Sequence, residues 1–340
     1  MTGAPPGTPS LAGPARLPGP AGLPDPADLP DPADQRDSPG LASELLRALG
    51  AVASSPPPLC AAPAAALSLP VPSAAEHTAV FVLAAPPHAA IHLGADGKLG
   101  GEGLDRVAGF WRVLGLSPPA DADHLGALLA LHAELGDAAT AARTGRARTR
   151  LAQARDALLW EHLWSWAPGY LTAVRRLDTP ALGPWADLTL RVLASQARRA
   201  AAPAALPLAL RDAPAALGLE EMDGRAASRS RLLLDSLLAP VRSGIILTGA
   251  DLRAAAEAAG IGYRIGERRY TLQALFDQDA AATLGWLNRF AAGWSGWHAA
   301  QQPVPATRYR PPDPRTWWAD RAARTAKALR ELQAGFVATG

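Results

Sequence analysis

The chain has a single cysteine, Cys60, so neither a disulfide nor a thiolate metal site can form within it, which suits a reducing cytoplasm. Lysine is almost missing: Lys98 and Lys327 stand against 31 arginines, a bias that reads as the codon usage of a GC-rich genome. A net charge of +2 gives no argument for a nucleic-acid partner. Nowhere do about 18 apolar residues run uninterrupted, and no charged N-terminal segment leads into an apolar run, so the sequence predicts neither a membrane span nor export.

Apolar residues make up 49% of the chain, but many are alanine, which removes little area from water. Leucine and tryptophan must therefore build the core. Residues 1–40 are crowded with Pro, Gly, Ala and Asp and carry "LPDPAD" twice in tandem (23–28, 29–34), too little bulk to offset ordering entropy, which predicts disorder. Charge is asymmetric: residues 1–100 hold four Arg/Lys and eight Asp/Glu, residues 301–340 seven and three. The basic end reads as a solvated helix with exposed arginines.

From residue 41 onward apolar residues recur at helical spacing with no series of alternating strands, which predicts an all-α protein. Leu104, Val107, Ala108, Trp111 and Leu114 form one stripe, stopped by Gly115. A second helix, with Asp121 or Asp123 at its cap and Gly136 at its end, places Leu125, Leu128, Leu129 and His132 on one face. A third runs from about residue 147 to Ala167 and is broken by Pro168. The organisation expected is a helical domain over 41–200, a linker over 201–230 and a helical C-terminal extension over 231–340.

Candidate chemistry is sparse. Gly97-Lys98 lacks the glycine five positions earlier and the following Ser or Thr of a phosphate-binding loop; His92 and Leu99 stand there. His88 and His92 lie four apart, yet no third ligand follows at a metal-binding interval, so no metal is expected. The segment 250–276 resembles a helix-turn-helix around Gly260, but Gly266 and Arg269 occupy positions that should pack inward. What remains are Asp123-His124 at the start of one helix and "WEHLWSWAP" in another. The latter brings Trp160, Glu161, His162, Trp164 and Trp166 together before Pro168. From spacing alone, capping and core packing account for such residues better than a site does.

These stretches, in this order, carry a resemblance to the TorD/DmsD/NarJ family of molybdoenzyme maturation chaperones. The chain is similar over 76–138, with Gly115-Leu116 leading to Asp123-His124 and a leucine-rich helix. It is similar again over 158–171, where Glu161-His162, Trp166 and Pro168 match a Glu-His-x-x-x-Trp-x-Pro segment. Ala122 replaces the family's proline, and Ala89 to His92 stand where Ser and Tyr are frequent. The likeness spans roughly residues 42–195. It implies a TorD-like helical bundle that binds the signal peptide or an unfolded part of a molybdopterin oxidoreductase catalytic subunit. The molybdenum cofactor would be carried by that client and none held stably by the chain.

On this reading the peptide-binding residues are Asp123, His124, Glu161, His162, Trp160, Trp164 and Trp166, the carboxylates taking guanidinium groups and the indoles an apolar stretch. Arg242, Ser243, Glu267 and Arg268 form a candidate second polar cluster. No catalytic residue is assigned, and the protein is expected to be a monomer or homodimer. The competing readings are a DNA-binding regulator using 250–276 and a nucleotide-binding enzyme.

Overall fold

Leucine and alanine at three- and four-residue intervals, with prolines gathered at segment ends, leave the backbone no better hydrogen-bonding scheme than helices. The computed structural model describes residues 39–201, 203–217, 226–300 and 313–339, and among them helices dominate and β-structure is limited to an isolated antiparallel bridge between His88 and His124. The all-α expectation therefore holds. Of the residues 1–40 expected to be disordered, 1–38 lie outside those described, while Pro39 and Gly40 open helix α1.

In chain order the first helices are α1 (Pro39–Ser54), α2 (Ala61–Ala66), α3 (Ala74–His77), α4 (Ala89–Leu93), α5 (Gly101–Val113), α6 (Leu125–Ala141) and α7 (Gly145–Ala157). There follow α8 (Ala167–Arg176), α9 (Leu182–Arg199) and α10 (Leu208–Arg211). The C-terminal part comprises α11 (Ala226–Leu238), α12 (Pro240–Ser243), α13 (Gly249–Ala259), α14 (Arg268–Gln278), α15 (Ala280–Ala300) and α16 (Pro314–Thr339). Two π-helical turns, Thr78–Ala84 and Leu158–Leu163, continue α3 and α7.

The centre of the bundle is α1 laid antiparallel on α6. Ser54 and Gly50 sit level with His124 and Gly126, and the Ser43 hydroxyl donates to the Ala133 carbonyl. Glycines allow this close crossing: a Cβ on Gly126 would stand 1.9 Å from Ser54 Oγ and 2.7 Å from the Gly50 carbonyl oxygen. Around the crossing Leu49, Leu125, Leu128, Leu129, Leu158 and Leu163 are fully buried, and Trp185 of α9 donates its indole N–H to the Leu49 carbonyl at 3.0 Å. The Glu76 carboxylate accepts from the amides of Ala181 and Leu182, closing the start of α9, whose own cap residue offers no side chain.

Three boundaries depart from the sequence reading. Helix α6 passes through Gly136 to Ala141, because packing against α1 and α7 outweighs glycine's modest helix cost. Its N-cap is His124, whose Nδ1 accepts from the Gly126 amide, and neither Asp121 nor Asp123 plays that part. Pro168 stands at the first turn of α8 rather than ending α7; the break falls earlier, at Trp164 to Trp166, since a proline in a first turn leaves no amide unsatisfied.

The stretch read as a linker is partly packed: α10 buries Ala209 and Leu210, and the Leu217 amide donates to the Arg242 carbonyl. The C-terminal helices lie against the bundle. The Trp318 indole donates to the Ser165 carbonyl at 2.8 Å, Arg176 pairs with Asp251, and Arg242 Nε donates to the Ala95 carbonyl. Gly244, with φ 74°, lets the turn after α12 approach α16 so closely that a Cβ there would stand 2.3 Å from the Ala322 nitrogen.

Candidate functional site

Pro86 and Pro87 hold the chain extended ahead of His88, and this strand-like step pairs with residues 123–125. The Ala89 amide donates to the Asp123 carbonyl, and the Leu125 amide to the Pro87 carbonyl. The pairing brings the Asp123 carboxylate to the start of α4, where Oδ2 accepts from the Ala90 amide at 2.9 Å and Oδ1 lies 3.3 Å from His88 Nδ1. The imidazoles of His88 and His124 meet edge to face, 5.0 Å apart. Asp123 is buried, whereas His88 and His124 keep an open side.

Burial alone would raise the Asp123 pKa; the hydrogen bonds from His88 and from the Ala90 amide outweigh it and bring the carboxyl below the ordinary carboxylate range. Burial, helped by the neighbouring His88, lowers His124 to about 4, so at neutral pH it is uncharged and its Nδ1 is free to accept from the Gly126 amide. Asp123 and His124 thus form a hydrogen-bonded knot at the end of the bundle where α1 finishes and α6 starts. Sequence reasoning had His88 only as a rejected metal ligand. The signal that could have placed it in this knot was the Pro-Pro pair that fixes its backbone.

The second stretch behaves differently. Its π-helical turn, marked by the Trp164 amide reaching the Leu159 carbonyl, and the break that follows leave the Glu161 and His162 carbonyls without helical donors. Side chains supply them: Ser165 Oγ donates to the Glu161 carbonyl and Trp166 Nε1 to the His162 carbonyl, at 2.8 and 2.7 Å. Trp160 Nε1 donates to the Ala201 carbonyl, tying down the end of α9. Trp160, Trp164 and Trp166 are only 7%, 5% and 2% exposed. They are therefore core residues in this structure and do not present their rings to solvent. Burial lowers His162, packed against Phe110, to about 4.

Glu161 is the member of this stretch that reaches the surface, and its carboxylate accepts from the Leu208 amide at 2.7 Å. The two stretches meet on one element, α4. Asp123 binds the start of α4, and Trp166 stacks on His92 of the same helix at 5.0 Å. The acids are consequently braces for α4 and α10 respectively.

The second polar cluster separates into two pairs. Arg242 is committed to Ala95, and Ser243 is buried and bonded within its own turn. Arg268 donates to the Leu247 carbonyl, and Glu267 stands exposed at the N-cap position of α14 without a capping bond from its side chain. No hydrogen bond among the described residues joins the two pairs. Among the described residues no three His, Cys, Asp or Glu side chains are placed to hold a metal ion, and no helix is long and apolar enough to cross a membrane.

In this all-helical bundle the Asp123 carboxylate and the His124 imidazole both serve backbone amides at helix starts. Residues 44–171, a little over a third of the chain, match the family model described as nitrate reductase delta subunit. The match supports the family likeness read from the sequence, and it encloses both Asp123-His124 and the Trp160 to Trp166 stretch. Comparison with curated proteins and with solved structures returns no match.

Proposed function

We propose that the protein is a maturation chaperone for a molybdenum-cofactor oxidoreductase, holding a signal peptide or unfolded part of the catalytic subunit in the cytoplasm until cofactor is inserted. The observation that carries this reading is the family match over residues 44–171. The same description favours a non-catalytic role, and no finding favours the DNA-binding or nucleotide-binding alternatives.

Geometry then favours one of the two stretches as the contact surface. His88 and His124 are accessible at the edge of the knot, and the π-helical turn leading toward it exposes Val82 and Leu83 at 59% and 71%. Val82 and Leu83 stand six and five residues before His88, so the apolar turn leads directly into the imidazole pair. Exposed apolar side chains beside imidazole groups suit a peptide with an apolar stretch and polar flanks. Asp123 orients the knot from behind. Trp160, Trp164, Trp166 and His162 supply the rigid packing beneath, and Glu161 fixes α10.

The test is co-purification of the full-length chain with its client from the native cell, for wild type and for Val82→Asp with Leu83→Asp. The reading expects a molybdoenzyme catalytic subunit lacking cofactor to accompany the wild type and to be lost from the double variant. Normal molybdoenzyme activity in a strain without this gene contradicts it.

A further inference from the structure

The segment 250–276, helix-turn-helix-like in sequence, has no part in the chaperone reading. Between its helices α13 and α14 the chain holds Ile265 out in solvent, 84% exposed. Tyr270, half exposed, flanks it: a Cβ on Gly266 would stand 3.0 Å from the Tyr270 ring, and the Tyr270 hydroxyl accepts from Arg264 at 3.3 Å. A lone exposed apolar side chain is ordinary on a protein surface. What sets this one apart is the bracing of the loop that carries it.

Gly260, with φ 67°, turns the chain out of α13. Gln278 of α14 then accepts from the Gly262 amide and donates to the Gly262 carbonyl, each at 2.9 Å. The Tyr263 hydroxyl donates to the Gly249 carbonyl, with the Arg253 guanidinium stacked over its ring at 4.7 Å. The Thr271 hydroxyl donates to the Arg264 carbonyl. Gly262, Tyr263 and Arg264 are thus each tied to α13 or α14, so the loop is ordered before any encounter and a partner taking it loses little further entropy.

Charge decides what kind of partner fits. Arg253 and Arg264 are exposed, but so are Glu257 and Glu267, and Arg269 is paired with Asp235. A tip so balanced is not drawn to an anionic bilayer or to duplex nucleic acid, whose attraction needs clustered cations. Tyrosine and arginine are the residue types that dominate binding energy between proteins. We infer that the loop 261–267 is a pre-formed docking knob for another protein, Ile265 entering an apolar pocket on the partner while Arg264 meets a carboxylate at the pocket's rim. The loop lies outside residues 44–171, so the inference does not depend on the chaperone reading.

The experiment places a photo-crosslinking benzophenone amino acid at position 265 of the full chain in the native cell, with position 113 as control, since Val113 is equally exposed at 84%. One protein other than this chain should be captured from position 265 and not from position 113. That protein, purified, should bind the unsubstituted chain and lose at least about thirtyfold in affinity to Ile265→Asp, a change at an exposed position that leaves the fold intact. Arg264→Glu should weaken binding about tenfold, and by less at high salt. Gln278→Ala alters the brace and not the tip; it should speed exchange of the Gly262 amide and lower affinity about three- to tenfold by loosening the loop. No capture from position 265, the same product from position 113, or a product made of two copies of this chain would overturn the inference. So would undiminished affinity of the purified protein for Ile265→Asp or Gln278→Ala, or binding of the chain to duplex DNA or phosphatidylglycerol vesicles that Ile265→Asp abolishes.

Discussion

Asp123-His124 and Trp160 to Trp166 look alike in sequence, each an acid beside a histidine amid large apolar residues, yet the bundle uses them in opposite ways. At the first, an extended Pro-Pro step forces two backbone segments together near the surface, where Asp123 and His124 satisfy amides while His88 and His124 keep an open side. At the second, a widened helical turn frees two carbonyls inside the protein, and Ser165 and Trp166 satisfy them from within. Polar residues beside tryptophan are therefore as consistent with repairing a helix break as with forming a site. Only the direction of the backbone distinguishes the two.

If that contrast is correct, Trp166→Ala has the largest effect on stability. It removes a fully packed indole and leaves the His162 carbonyl unpaired, costing about 3–5 kcal/mol, a large fraction of an ordinary domain's stability. Urea denaturation should show a strongly lowered midpoint or no folded protein. Asp123→Ala should cost less, about 1–3 kcal/mol, the loss expected when a buried amide, here that of Ala90, loses its acceptor. A cost equal to that of Trp166→Ala would erase the distinction between the stretches.

Acid sensitivity sharpens the same contrast. Burial holds His92, His132 and His298 to about 3 and His162 to about 4, below the ordinary value of 6.5. The unfolded chain therefore takes up protons near pH 6.5 that the folded chain refuses. Stability is fully present above that pH and falls as pH drops toward 4, by up to about 1.4 kcal/mol per pH unit for each such histidine. His162→Phe should flatten the dependence of the urea midpoint between pH 7 and pH 5 by one proton's worth. An unchanged slope would mean that His162 is open to solvent. The smallest stability change belongs to Val82→Asp with Leu83→Asp, within about 0.5 kcal/mol, as for other exposed positions.

Much of the fold was readable from periodicity. The α6 face built by Leu125, Leu128, Leu129 and His132 is buried as expected, and the C-terminal part is helical. Pro168 misled because a proline reads the same whether it ends one helix or begins the next, and the π-helical turn that decides the matter has no residue signature of its own. Gly136 misled because tertiary packing overrides its weak preference. The candidate residues were picked out by type and spacing, but their exposure was not legible. It depends on His88, 35 residues from Asp123, and on Ala201, 41 residues from Trp160.

The most direct measurement is binding of the client's leader peptide to the full-length protein by calorimetry, comparing Val82→Asp with Leu83→Asp against Trp160→Phe. The account predicts that the exposed pair loses binding at least about tenfold, equivalent to 1.4 kcal/mol, while the buried indole substitution leaves affinity unchanged in the protein that remains folded. Unchanged affinity in the aspartate variant together with loss in Trp160→Phe would contradict it and return the binding surface to the tryptophan stretch.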